Sequence, residues 1–116
     1  MKDRALTTLV SIKTNDNIVK LLKHSRKLNL PYLTLWIARQ SNKSQIDYAL
    51  LVNKTQFKRA VSRNKVKRQL RNILISSELK GGIQILIKPN SNYLRKTYLQ
   101  IKEQLIQTIS KYQNGK

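Results

Sequence analysis

The chain has 116 residues, with 24 Lys and Arg against 5 Asp and Glu, a formal net charge of +19, and no cysteine. That length fits a single domain with a modest core and no separate catalytic domain. Lack of cysteine excludes disulfides, thiolate metal sites and a cysteine nucleophile, and no run approaches the roughly 18 apolar residues of a membrane span.

The cation surplus points to a polyanionic partner, RNA or DNA, while a hydrophobic fraction of 40% argues for a folded body rather than a disordered basic tail. The N-terminus lacks the apolar core and cleavage site of a secretory signal, so a cytoplasmic location is expected. Residues 1–14 mix Leu6, Leu9, Val10 and Ile12 with threonines and bases, and fit either a short helix or a loosely docked arm. One RNA-binding domain is expected over 1–116, with 1–11 as a variable arm and 12–113 as the folded core.

Asn15 or Asp16 can cap a first helix whose face is Ile18, Leu21, Leu22 and Ser25, and which ends before Pro31. Tyr32 to Arg39 reads as a strand, with Leu33, Leu35 and Ile37 on one side and Tyr32, Thr34 and Trp36 on the other. After a polar turn, Ile46 to Lys54 alternates as its hairpin partner. Gln56 to Val61 is short, but Phe57 and Val61 could add a brief third strand. Ser62 then caps a helix in which Val66, Leu70, Ile73 and Leu74 recur at helical spacing as far as about Ser77. Gly81-Gly82 breaks it, Ile83 to Ile87 forms a strand ended by Pro89, and Leu94, Tyr98, Ile101, Leu105, Ile109 and Tyr112 mark an amphipathic helix over about 91–112. The order α-β-β-(β)-α-β-α predicts an α+β, single-domain two-layer sandwich with helices on a small mixed sheet.

The segment 58–74 carries seven of the 24 cations, and no acid occurs between Asp47 and Glu78. At about 100° per residue, Asn64, Lys67, Arg68 and Arg71 share an arc opposite Val66 and Leu70, with Arg63 and Lys65 flanking it. A merely solvated helix face usually intersperses acids with bases. This one instead repels itself unless a polyanion lies opposite.

Catalytic groups are sparse. The acids Asp3, Asp16, Asp47, Glu78 and Glu103 are scattered over five segments, His24 is the single histidine, and the glycines form no phosphate loop. Recognition remains as the function. Besides the basic helix, the strand face with Tyr32, Thr34 and Trp36 offers rings for stacking on unpaired bases, although strand aromatics such as Trp36 are often simply core.

The phrase Lys58-Arg59-Ala60-Val61-Ser62-Arg63-Asn64-Lys65-Val66-Lys67-Arg68 resembles the Arg-Asn-Arg, aliphatic, Lys-Arg motif of the bacterial ribonuclease P protein component. Lys65 stands at the third motif position, keeping the charge but not the planar fork. Asn15 to Ser25 is similar to the family's first helix, with Ile18, Leu22 and Ser25 where the family has two Phe and a Gly. The resemblance runs from about Ile12 to Ser110.

It implies a left-handed βαβ crossover around the motif helix (ribosomal protein S5 domain 2-like), and a role assisting an RNA catalyst that removes the 5′ leader of precursor tRNA. By the same resemblance, Arg59, Arg63, Asn64, Lys65, Lys67, Arg68 and Arg71 would bind the ribonuclease P RNA subunit. A cleft including Ile18, Leu22, Tyr32, Trp36 and Lys54 would hold the leader. No catalytic residue, membrane or obligate protein partner is implied, and no cofactor is expected on the protein alone, magnesium being required by the RNA–protein complex. The alternative reading is a small ribosomal or other structural RNA-binding protein. A protein-only metal nuclease is disfavoured by the scattered acids.

Overall fold

The computed structural model describes residues 8–12, 15–76, 79 and 81–115. It contains β1 (Thr8–Ser11), α1 (Asn15–His24), β2 (Arg26–Leu30), β3 (Leu33–Arg39), β4 (Gln45–Leu50), α2 (Ala60–Ser76), β5 (Ile83–Pro89), a 3-10 turn (Ser91–Arg95) and α3 (Tyr98–Gly115). The five strands form one mixed sheet in the order β1-β4-β5-β3-β2, with β1, β4 and β5 mutually parallel and β3 antiparallel to both its neighbours. The expected α+β architecture holds. No helix of the described residues is long and apolar enough to cross a membrane.

The main core lies on one face of the sheet. Val66, Leu70, Ile73 and Leu74 of α2 and Ile101, Leu105 and Ile109 of α3 pack there on Leu33, Leu35 and Ile37 of β3 and Ile83, Ile85 and Ile87 of β5. Strand alternation sends the intervening residues to the other face. There Leu21 and Ile18 of α1 meet Trp36, Ala38, Ala49 and Leu86. The helices thus divide, two beneath the sheet and α1 above it.

Strand chirality fixes the hand of β4-α2-β5. In an ascending strand of L-residues, a residue whose side chain faces the viewer holds its N–H and C=O to the viewer's right. Leu51 packs on the α1 side and donates its N–H to Ile87 O at 2.8 Å. From α1, β5 therefore lies to the right of β4, and from α2 it lies to the left. A crossover that steps left with its helix in front is left-handed, against the usual rule.

Several local expectations are corrected. β3 and β4 are not a hairpin, because β5 lies between them. The hairpin partner of β3 is β2, joined through Pro31 and Tyr32, so the chain after α1 is extended where no strand was expected. Residues 8–11 pair with β4 as an edge strand, which moves the boundary of the folded core ahead of residue 12. The suggested strand at 56–61 is turn and coil over 56–59, anchored by Phe57, 1% exposed, and its last two residues open α2.

Helix starts also move. α2 begins at Ala60, placing Ser62 inside its first turn rather than at its cap, and α1 begins at Asn15, so neither Asn15 nor Asp16 precedes it. The expected helix end near Ser77 lies outside the described residues. The last expected helix is split: a 3-10 turn capped by Asn90, then α3, which opens with a reciprocal capping box in which Gln100 N–H donates to Thr97 Oγ1 (3.1 Å) and Thr97 N–H to Gln100 Oε1 (3.0 Å).

Candidate nucleic-acid interface

α2 is held from beneath by its buried Val66, Leu70 and Ile73, and from the side by Tyr93, whose hydroxyl donates to Gln69 Oε1 at 3.0 Å. Its remaining circumference presents the cations. Arg59, Asn64, Lys65, Arg68 and Arg71 are exposed, and Lys67 is half-buried. None of these six side chains has a hydrogen bond or ion pair among the described residues. No acid occurs in the first turn of α2, where Arg63 opposes the helix dipole. Such an arrangement is not tuned for the stability of the helix alone. It is a fixed row of unpartnered positive charge.

Arg63 behaves differently from the rest of the motif. Its guanidinium Nη1 donates to the carbonyls of Phe57 (2.9 Å) and Lys58 (3.1 Å), and the residue is half-buried.

The second surface is the sheet face beside α1. Ile18 and Trp36, both half-buried, come together there over the buried Leu21, Ala49 and Leu86. Leu22 lies on the flank of α1, 40% exposed, and Lys54 is exposed in the turn after β4. Tyr32 does not belong to this surface. It sits in the β2–β3 turn rather than in the strand, is 1% exposed in the opposite core, stacks edge-on against Tyr93 and donates to Gln104 Oε1 at 2.9 Å. Burial pushes its phenol pKa up.

The cross-strand register brings in residues that sequence reasoning missed. Lys27 pairs with Trp36, and Asn29 and Lys88 flank Thr34. All three carry exposed side chains next to the apolar patch. Lys27 Nζ lies 5.7 Å from the centroid of the Trp36 ring, within cation–π reach. The alternation Arg26-Lys27-Leu28-Asn29-Leu30 was the available signal, masked by its position just before Pro31. The result is a strip of sheet surface beside α1 with one aromatic ring, polar Asn29 and Thr34, and two lysines.

Metal ligation finds no comparable support. Among the described residues no three of His, Cys, Asp and Glu approach as a metal site. Asp47 accepts from Gln45 Nε2 and from Gln84 Nε2, a local amide network on the sheet surface. Asp3 and Glu78 lie outside the described residues.

Known proteins match this chain along nearly its whole length. The Ribonuclease P family model covers residues 6–113. The ribonuclease P protein component of Ureaplasma urealyticum is 24% identical over 96% of this chain and 98% of its own, and that of a Pseudanabaena species is 28% identical over 86% and 88%. The ribonuclease P protein of Thermotoga maritima superposes with a TM-score of 0.74 at 17% identity, covering 85% of this chain and 94% of its own. That of Staphylococcus aureus gives 0.73 at 21% identity, covering 90% and 94%. The chain with the acid-free helix and the left-handed crossover belongs to the ribonuclease P protein family, a component of the ribonucleoprotein endonuclease of tRNA processing.

Proposed function

We propose that this chain binds the catalytic RNA subunit of ribonuclease P through α2 and the 5′ leader of precursor tRNA through the sheet surface beside α1, assisting RNA-catalysed removal of the leader. The observation that carries this reading is the α2 face, whose cations other than Arg63 have no side-chain partner among the described residues. Arg59, Lys65, Lys67, Arg68 and Arg71 neutralise phosphates of the RNA subunit, with Asn64 donating among them. Beside α1, Trp36 offers a stacking surface to one unpaired base, while Lys27 and Lys88 meet the adjoining phosphates. Ile18 and Leu22 supply an aliphatic rather than an aromatic wall. The protein contributes binding and orientation, and the metal ions of the reaction belong to the RNA–protein complex.

The test is cleavage of a precursor tRNA by a bacterial ribonuclease P RNA at low magnesium, with and without this protein, over a series of leader lengths. Stimulation that grows over the first few leader nucleotides is expected. Tight RNA binding without stimulation at any leader length overturns the proposal and leaves a structural RNA-binding protein.

A further inference from the structure

Arg63 begins the basic motif, yet it turns its guanidinium inward to its own chain. Nη1 bridges two consecutive carbonyls, Phe57 O at 2.9 Å and Lys58 O at 3.1 Å. These belong to the segment that leads into α2. Its start is already fixed: Asn53 Oδ1 accepts from Thr55 Oγ1 (2.8 Å) and Gln56 N–H (3.1 Å), Phe57 N–H donates to Asn53 O (3.1 Å), and Gln56 Oε1 accepts from Ser91 N–H (2.9 Å).

Phe57 then enters the core, 1% exposed. Lys58 and Arg59 are the two residues left between that anchor and the first helical residue, Ala60. Both are exposed cations. The Arg63 bridge spans this interval from inside the first turn of α2, so the charge of one motif residue orients the backbone that carries two others.

We propose that Arg63 is a positioning residue: it holds the 57–59 backbone so that Lys58 and Arg59 extend the α2 cation row toward RNA, and it does not itself touch a phosphate. This inference rests on the reading of α2 as an RNA-binding face. Held by the bridge, the Lys58-Arg59 pair is presented to the phosphates; without it the cost of ordering that backbone exceeds what two exposed ion contacts return, so the contacts are not made. The bridge needs two donor hydrogens on one nitrogen carried at the reach of an arginine, and a glutamine there is too short to repeat it.

The experiment measures binding of the full-length protein to a bacterial ribonuclease P RNA across a salt series, for wild type, R63Q, the double variant K58Q/R59Q, the triple variant combining all three, and the control K67Q/R68Q. Each phosphate that a variant no longer neutralises lowers the slope of log affinity against log salt by about 0.7–0.9. If Arg63 positions, R63Q alone approaches the slope of K58Q/R59Q, a decrease of about 1.5, and the triple variant falls no further. A decrease of about 0.7–0.9 in R63Q, with the triple variant additive at about three times that figure, makes Arg63 a direct phosphate ligand and overturns the proposal. An unchanged slope in R63Q, with a lower unfolding temperature, makes the bridge merely structural and overturns it equally. If K67Q/R68Q also leaves the wild-type slope untouched, the reading of α2 has failed, a separate result.

Discussion

Neutralising Lys67, Arg68 and Arg71 together gives a quantitative test of the α2 face. Arg68 and Arg71 are exposed, Lys67 is half-buried, and none of the three has a side-chain partner among the described residues. Replacement by Ala removes charge without breaking an internal bond, and each substitution should change folding stability by no more than about 0.5 kcal/mol. If all three meet phosphates, the slope of log affinity against log salt falls by about 2.1–2.7 in the triple variant. Between 50 and 200 mM salt, wild type should then lose about 20- to 40-fold more affinity than the variant does. Filter binding or fluorescence anisotropy with the ribonuclease P RNA reads this directly, and a thermal melt controls for folding. Weakened binding with the wild-type slope would refute the argument, because it would show that these side chains act through something other than phosphate charge.

Trp36 is the single tryptophan of the sequence, so emission excited selectively at the indole reports on the surface beside α1. A leader oligonucleotide should quench it, and Trp36→Ala should weaken precursor binding by about 1–3 kcal/mol while sparing leaderless tRNA; unfolding of the variant would assign the ring to the core instead. Gly81→Ala places a Cβ 2.5 Å from Lys43 O and 2.7 Å from Gln45 N, backbone that cannot move aside cheaply, so the urea midpoint should drop by the equivalent of about 1–3 kcal/mol. Tyr93 sets the alkaline limit. Burial, then the neighbouring Tyr98 and Tyr32, push its phenol pKa well above the ordinary value, so the folded state holds it neutral where the unfolded state ionises. Its contribution is complete below about pH 10 and is lost as pH rises further. Tyr93→Phe should therefore be less stable at neutral pH, having lost the bond to Gln69, yet show a shallower decline than wild type in alkaline urea titrations.

Periodicity made α2 and α3 legible because each buries one continuous stripe, and it located β3 and β5 because both are apolar on successive positions. It failed where pairing is decided far away in sequence. The alternation of residues 46–50 suits a hairpin with β3 as well as the observed parallel pairing with β5. Nothing local distinguishes the two. Tyr32 faces the main core because it lies in the turn before β3, where strand alternation does not yet hold, whereas Thr34 and Trp36 keep the alternation. Charge, helical spacing and the motif resemblance mark the residues of α2. None of these tells that Arg63 gives its Nη1 hydrogens to Phe57 and Lys58, and Lys27 joins the α1-side surface only through its register with Trp36. Composition marked a basic helix, whereas the division of labour along it is a matter of geometry.

The insertion of β5 between β3 and β4 also bears on how the chain is made. Residues 83–89 are synthesised after every other strand, and they are the seam that joins the β1–β4 and β2–β3 ladders. Two-stranded ladders are marginal on their own. During elongation the protein therefore has no complete sheet until that seam emerges, and α2, made before it, has no finished surface on which to lay its apolar stripe. What the nascent chain offers its surroundings in that interval is a stretch of bare positive charge. Translation thus delivers the affinity for polyanions ahead of the architecture that disciplines it.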